Sequence, residues 1–514
     1  MALRPLGLSV TAVNARKEAP EESSCRLGHG ACGHLSSGMR CASLCVISLG
    51  LACGQRPVDV VLITVDTLRY DHVSGLNPDS PAKTPNMDLL VAQGVTYTQA
   101  YSPISVTGPA FCTVMTGQRP GTHGVVMNVF RGGNVLSRET PTLAKVFKAA
   151  GYGTGAFVSG FTLRRNLGLA RGFDQYSTPY RSRRDGGETA ESMWAWMQTQ
   201  PGPTFSWYHS YDAHGPLEPY NDPPITAGLK RGGPNLARIP EYQRIEDISD
   251  VEFFSARYAS AVEYSDEAVG RVLDVLHNTG RWDDALIILT ADHGETLDER
   301  ELWFDHGTTP YEEQLHVPLV IRYPRGEGGG QSADALVGLE DLMPTILDYL
   351  GQALPDGMDG RSFLGEGAAG HEVLRGESSH CKGEDILTCA PKGPGGKMYA
   401  VRTAERTTVR RASTDGISYE RYDRVADRPE RHPLERPGAT HDGSVGEDSG
   451  YARQQMPREW DPGDGSALKT LDEMAAVRKA MNLDEPNTEP AGQAESESER
   501  REREALQALG YVDL

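Results

Sequence analysis

Apolar and polar positions along this chain fall into two periods. From Val58 to Val65 the run VDVVLITV is almost continuously apolar and β-branched, the pattern of a strand buried on both faces, and it stops abruptly at Asp66. Runs at 154–158 (TGAFV), 204–210 (TFSWYHS), 285–290 (ALIILT) and 316–322 (HVPLVIR) predict four more strands. Helical signals lie between them. Thr84-Pro85 opens a helix carried by Met87, Leu89, Leu90 and Val91 and ended by Gly94, proline first and glycine last. Thr140-Pro141 repeats the device with Gly151 as the stop, and a long helix fits 256–279. Strands that alternate with helices predict an α/β fold, a mostly parallel sheet covered on both faces, with reactive groups gathered at the carboxyl ends of its strands. Glycines at 151, 153 and 155 follow a helix and precede a strand, the reverse of the order that cradles phosphate, so they read as a helix stop.

Beyond residue 365 the period changes. MYAVRTAERTTVRRA (398–412) and SYERYD (418–423) alternate like antiparallel strands. They predict a small C-terminal α+β subdomain over 366–435, after a main domain over 57–365. Residues 436–514 read as an acidic linker and a terminal helix. Acidic residues outnumber basic ones 71 to 51, for a net charge of −20, which argues against a chain built to grip nucleic acid. Much of the surplus is in the tail, where residues 441–514 hold 17 acidic against 8 basic side chains.

The amino end carries a different signal. Met39-Arg40 precedes the apolar run CASLCVISLGLA (41–52) and Cys53, which matches a secretory signal of the lipoprotein type over 39–53. The expectation is an exported, periplasmic or cell-surface protein, lipid-anchored at Cys53, with residues 1–38 as an extension ahead of the true start. Five of the eight cysteines precede the first strand. Cys381 and Cys389 are expected to pair in an oxidising compartment, and Cys112 to be a small buried apolar residue.

Three strand ends offer polar groups: Asp66 after VVLITV, Asp212 and His214 after FSWYHSY, and Asp292-His293 after ALIILTA. A carboxylate directly after a buried strand is costly unless it caps a helix or binds a metal. Two aspartates and a histidine converging at one sheet edge suit a divalent cation with mixed oxygen and nitrogen donors. Asp212 is read either as a further ligand or as the group that orients His214. Asp71 and His72, beyond the strand end, read as structural. Lys145 and Lys148 read as a helix face, and Arg164 and Arg165 as candidates for drawing in an anion.

At these residues the chain resembles the sulfatase family of the alkaline phosphatase superfamily. The shared landmarks are VVLITVDTLRYDH (60–72), TPNMDLLVAQGVTYTQAYSP (84–103), MTGQRPGTHGV (115–125), AAGYGTGAFVSG (149–160), YDAHGPLEPY (211–220), LTADHGE (289–295), DHGTTPYEEQLHVPLVIRYP (305–324) and LEDLMPTILDYLG (339–351). The resemblance implies an alkaline-phosphatase-like sheet and one divalent metal ion (manganese, zinc, magnesium or calcium) held by Asp66, Asp292 and His293. It also implies a nucleophile just before MTG, and His214 and His306 facing the ester. Asp212 is assigned to the substrate side beside them from its place in the sequence. Substrate choice is expected in variable loops at 177–200, 221–255 and 365–397.

The nucleophile is where the chain departs from that family. The familiar motif, Cys or Ser followed by x-Pro-x-Arg, matures to formylglycine and sits nine residues before the Thr of Thr116-Gly117. The position is Thr107 here, followed by Gly108-Pro109-Ala110-Phe111, so the proline is kept and the arginine is lost. The family's Lys-Trp-His triplet is also missing, with Val158-Ser159-Gly160 in its place. Threonine cannot become formylglycine, and a threonine adduct must be discharged by attack on phosphorus or sulfur. The expected activity is therefore hydrolysis of phosphate esters, in preference to sulfate esters, through a metal-bound Thr107 that is both ligand and nucleophile. The alternatives are a sulfuric ester hydrolase, a phosphoglycerol-type transferase and a non-catalytic binder of anionic glycan or lipid. Expected partners are small-molecule, glycan or lipid esters.

Overall fold

The structure is a computed structural model that describes residues 58–128, 135–179, 183–217, 228–300, 303–365, 370–379, 397–413 and 416–434. In chain order the main body runs β1 (Asp59–Val65), α1 (Pro85–Gln93), β2 (Val95–Tyr101), α2 (Thr107–Thr116), α3 (Pro120–His123), α4 (Leu143–Ala149), β3 (Gly153–Val158) and β4 (Gln175–Ser177). It continues with α5 (Gly186–Met197), β5 (Thr204–Ser210), α6 (Val251–Asn278), β6 (Ala285–Thr290), α7 (Glu312–Leu315), β7 (Leu319–Arg322), β8 (Gln331–Gly338) and α8 (Leu342–Tyr349). The eight strands form one sheet in the order β4-β3-β5-β1-β6-β7-β2-β8. Only β7 runs against its neighbours β6 and β2. This is the α/β, mostly parallel sheet that the alternation of apolar runs predicts. Helices α1, α5 and α6 pack together as one layer, and α2 packs with α4 and α8 as another.

The centre of the sheet positions the chemistry. β1, β5 and β6 are buried along their whole length. Their register pairs Val65 with Ser210 and Thr64 with Thr290, so the three carboxyl ends finish level with one another. The backbone of Asp66 still donates to the carbonyl of Ser210, at 2.9 Å, one residue past the end of β1. Asp66, Tyr211 and Ala291 therefore leave the sheet side by side.

Several elements differ from the sequence reading. The helix after Thr140-Pro141 begins two residues later, because Thr142 is the residue whose side chain accepts from Lys145 N. α6 begins at Val251 rather than 256, capped by Asp250, which accepts from the backbone of Glu252 and Phe253. β2, β4 and β8 are strands that the sequence did not announce. α2 is a further addition: all ten of its residues are buried, so it has no polar face to give a helical period. The expected loop at 177–200 contains α5, whose N-cap Asp185 accepts from Glu188 N.

A second sheet follows, antiparallel, in the order β12-β11-β10-β9, made of β9 (Leu374–Glu377), β10 (Met398–Arg402), β11 (Arg406–Ser413) and β12 (Gly416–Asp423). It is the small C-terminal antiparallel unit expected, and among the described residues of 366–435 it contains strands and no helix. It packs on the main body through Tyr311, which joins Met398, Ala400, Val409 and Tyr422, and through Leu374, which joins Tyr101, Leu315 and Leu336. Cys53, Cys381, Cys389, the signal region and the acidic tail lie outside the described residues. No helix among the described residues is long and apolar enough to cross a membrane.

Candidate metal and ester-binding centre

Three buried side chains meet at the level carboxyl ends of β1 and β6. Asp66, Asp292 and His293 each offer one ligand atom within 4.8 Å of the others. They are held from behind. Asp292 Oδ1 accepts from the backbone of Thr67 at 3.1 Å and of His293 at 2.9 Å. Thr67 itself adopts φ +56°, an unfavourable backbone for a β-branched residue, kept by its own hydroxyl on Asp66 O and by the Tyr258 hydroxyl on Thr67 O. Gly294 is needed where the chain turns away, since a Cβ there would stand 2.2 Å from the Glu313 carbonyl.

The outward side of the cluster is short of positive charge. Asp66 Oδ1 and Asp292 Oδ2 are buried without a hydrogen-bond partner. His293 donates Nδ1–H to the Gly294 carbonyl at 2.8 Å, which leaves a lone pair on Nε2. That lone pair faces Asp292 Oδ2 at 3.3 Å. Burial, then the charge of Asp292, pushes the Asp66 carboxyl well above its usual range, while His293 and the Thr107 hydroxyl pull it back. Two electron-rich carboxylate oxygens turned toward a bare imidazole nitrogen fit a divalent cation with mixed donors.

Thr107 lies where the sequence reading placed it. It is the first residue of α2, fully buried, with Oγ1 3.5 Å from His293 Nε2. Pro109 falls in the first helical turn, where a missing N–H costs nothing. The neighbouring donor, Gly108 N, is taken by Asn128 Oδ1 at 2.8 Å. The facing atom must be the amide oxygen, so Asn128 Nδ2 points elsewhere, and it is buried with no partner. Phe111, at the position of the family's arginine, packs against Trp207 and His209 with ring centroids 5.0 and 5.2 Å away.

Two further histidines lie beside the cluster. The His306 ring lies 4.8 Å from that of His214 and 4.7 Å from that of His293. His214 stacks on Tyr211 at 4.1 Å and donates Nδ1–H to the Gly215 carbonyl at 2.6 Å. His306 Nδ1 is 3.3 Å from Glu295 Oε2. Burial lowers the pKa of both histidines, and His214 would be lowered further by any charge on His306 beside it. Burial also raises Glu295 to about 8.

Other expected residues fall elsewhere. Asp212 lies outside the cation cluster: Oδ2 accepts from Ser210 Oγ at 2.8 Å and from Gly186 N at 3.0 Å, so its carboxylate serves the start of α5. Asp71 is structural, gripped by Nε and Nη2 of Arg69 and by His72. Lys145 bonds the carbonyls of Arg138 and Thr140, and Lys148 pairs with Asp174. Arg165 donates to the Tyr176 carbonyl, and Arg164 lies over the Phe161 ring. Cys112 is fully buried, and burial drives its thiol pKa up, as an inert core residue requires. The sequence reading missed His209, Glu295 and Asn128. His209 was hidden inside a strand, Glu295 followed a motif already assigned, and Asn128 lay in a loop with no signal.

A parallel α/β sheet that brings a buried acid–histidine cluster, a hydroxyl and two more histidines to its carboxyl edge defines an ester hydrolase of the alkaline-phosphatase-like class. The chain belongs to the sulfatase family, matching it over residues 58–352. It is 24% identical over 405 residues to an ulvan-active sulfatase of Formosa agariphila, which covers 72% of this chain and 75% of that protein. It is 25% identical over 403 residues to the multifunctional alkaline phosphatase superfamily protein PehA of Trinickia caryophylli, covering 60% and 77%. The solved phosphonate monoester hydrolase of Agrobacterium radiobacter shares the fold, with a TM-score of 0.60 at 22% identity over 83% of this chain and 96% of that one.

Proposed function

We propose that this sulfatase-family hydrolase cleaves phosphate esters, with Thr107 as its nucleophile. One observation carries the reading: a hydroxyl that cannot mature to formylglycine sits 3.5 Å from Nε2 of His293, a member of the cluster with Asp66 and Asp292. Asp66, Asp292 and His293 would hold a divalent cation (manganese, zinc, magnesium or calcium), which when bound favours the Thr107 alkoxide and offsets the charge of the ester. Thr107 loses its proton and attacks phosphorus as the bond to the leaving oxygen breaks, giving a covalent phospho-threonine ester. His214 and His306 face that bond. With its Nδ1 hydrogen committed to Gly215, His214 takes a proton at Nε2 before it can bridge to an ester oxygen, a change the anionic substrate favours. His306, held by Glu295, is placed to take the proton that Thr107 gives up and pass it to the leaving alkoxide. Water then attacks phosphorus as the bond from phosphorus to the Thr107 oxygen breaks, and one water proton passes to that oxygen.

Sulfate esters are the second reading, favoured by the names of the relatives, several of which are sulfatases. Glycan esters fit the same centre, since one of those relatives is named for ulvan. We also propose export with a lipid on Cys53, for which mass spectrometry of the mature amino terminus is the check.

The test is hydrolysis of paired aryl phosphodiester, phosphomonoester and sulfate substrates with each cation, beside Thr107→Ala. Phosphodiester turnover that falls by three orders of magnitude or more in the variant supports the proposal. Sulfate turnover in preference to phosphate, or a variant as active as the parent, overturns it.

A further inference from the structure

The strand β5 carries a histidine that the reaction above does not use. His209 is fully buried in the middle of the sheet, in register with Thr64 of β1 on one side and Val158 of β3 on the other. A polar ring in such a place is costly unless it is bonded. Its bond goes to Asp66: Nε2 lies 3.2 Å from Oδ2, and with Asp66 ionised, as a metal ligand must be, the carboxylate only accepts and the hydrogen is on Nε2.

That bond divides the two oxygens of Asp66. Oδ2 is held by His209, and Oδ1 is left without a partner at the cluster. Rotation of the carboxylate about its own bond would exchange them, and the fixed imidazole prevents it. The imidazole is fixed in turn. Its strand is bonded on both edges, and Phe111 meets the ring edge-on at 5.2 Å, with Trp207 at 6.3 Å and Tyr211 at 6.2 Å around it. Trp207 is itself tied by Nε1–H to Thr64 Oγ1 at 3.0 Å. Phe111 stands where the family's motif carries arginine, so on α2 an aromatic wall for His209 takes the place of a cation.

We infer that His209 is a positioning residue for the metal centre, donating from Nε2 to Asp66 Oδ2 so that Oδ1 is presented to a divalent cation. The inference rests on the metal-dependent reading above. Groups that orient a ligand from behind set metal affinity by about 10- to 100-fold.

The experiment is a calorimetric titration of the full chain, stripped of metal, with manganese, for the parent, His209→Gln, His209→Asn and His209→Phe. The Gln amide nitrogen reaches about as far as imidazole Nε2, whereas that of Asn stops short of Asp66. Manganese affinity is expected near the parent value in Gln and lowered about 10- to 100-fold in Asn and Phe. Circular dichroism and thermal unfolding of the metal-free proteins identify any variant that does not fold. If Phe does not, the Gln and Asn pair decides. Equal affinity in Gln and Asn, or parent-like affinity in Phe, overturns the role of His209 alone. A parent protein that takes up no divalent cation overturns the metal-dependent reading with it.

Discussion

Glu340 shows how a single buried acid ties this fold to pH. It is fully enclosed, with the Arg119 guanidinium 3.7 Å away and Asp341 beside it in the chain. Burial, then the charge of Asp341, raises its carboxyl to about 7, against which Arg119 is too distant a counter-charge. The native state thus binds the proton more tightly than the unfolded chain. The stability this gives is complete below the unfolded pKa, near 4.5, and is lost as pH rises through about 7. Glu340→Gln keeps the shape and removes the ionisation. Its stability advantage over the parent in urea unfolding should grow by on the order of 2 kcal/mol from pH 5 to pH 8. A gap that stays constant with pH would show that Glu340 does not titrate in this window. At the same scale the site was half legible. Asp66, Asp292 and His293 could be read because a charged residue after a buried apolar run needs a reason. His209 could not, because a histidine within TFSWYHS looks like one more alternating position of a strand. The bond from Gly186 N to Asp212 was not legible, because it comes from a helix that the sequence did not reveal.

Among the described elements, α6 is the longest helix, at 28 residues, and it begins on one side chain. Asp250 Oδ1 accepts from Glu252 N and Phe253 N, and its other oxygen accepts from Lys230 N, so one carboxylate caps the helix and pins the preceding loop. Asp250→Ala should lower stability by about 1 to 2 kcal/mol, and hydrogen exchange should show the first turn of α6 opening before the rest. Unchanged exchange at Glu252 and Phe253 would mean that the cap is not the anchor. The elements that the sequence announced are those with one clear period. β1, β5 and β6 are apolar throughout because both faces are covered. β8 escaped because it is an edge strand whose first residues, Gln331 and Ser332, are exposed, and β4 because it has three residues. α2 escaped for the opposite reason. Thr107-Gly108-Pro109 reads as a break, and the residues after it have no polar face. The nucleophile therefore sits on the element whose sequence least resembles what it forms.

Across the whole molecule, the two sheets meet at a buried charge cluster as well as an apolar seam. Arg402, from β10, reaches across to the main body, where Nη2 donates to the Pro310 carbonyl at 2.6 Å, and it also meets Glu430 of its own unit at 3.4 Å. Its Nε lies 3.9 Å from Glu312, and its guanidinium lies over the Tyr101 ring. Glu312 is further bonded by the Tyr101 hydroxyl and by His316. Although burial alone would raise it, His316 and the arginines hold Glu312 down at about 2. The cluster stands directly behind the loop that delivers His306, because Gln314 of α7 donates to the Asp305 carbonyl and to Thr296 Oγ1. Replacing Arg402 with Met preserves volume but leaves Glu312 and Glu430 with less of their counter-charge in a dry joint. Breaking a buried pair from one side costs about 3 to 5 kcal/mol. Arg402→Met should therefore lose about that much in denaturant unfolding, with proteolytic cleavage appearing first between the sheets. If both are joined only by apolar packing through Tyr311 and Leu374, the loss will be below about 1 kcal/mol and the cleavage pattern will not change.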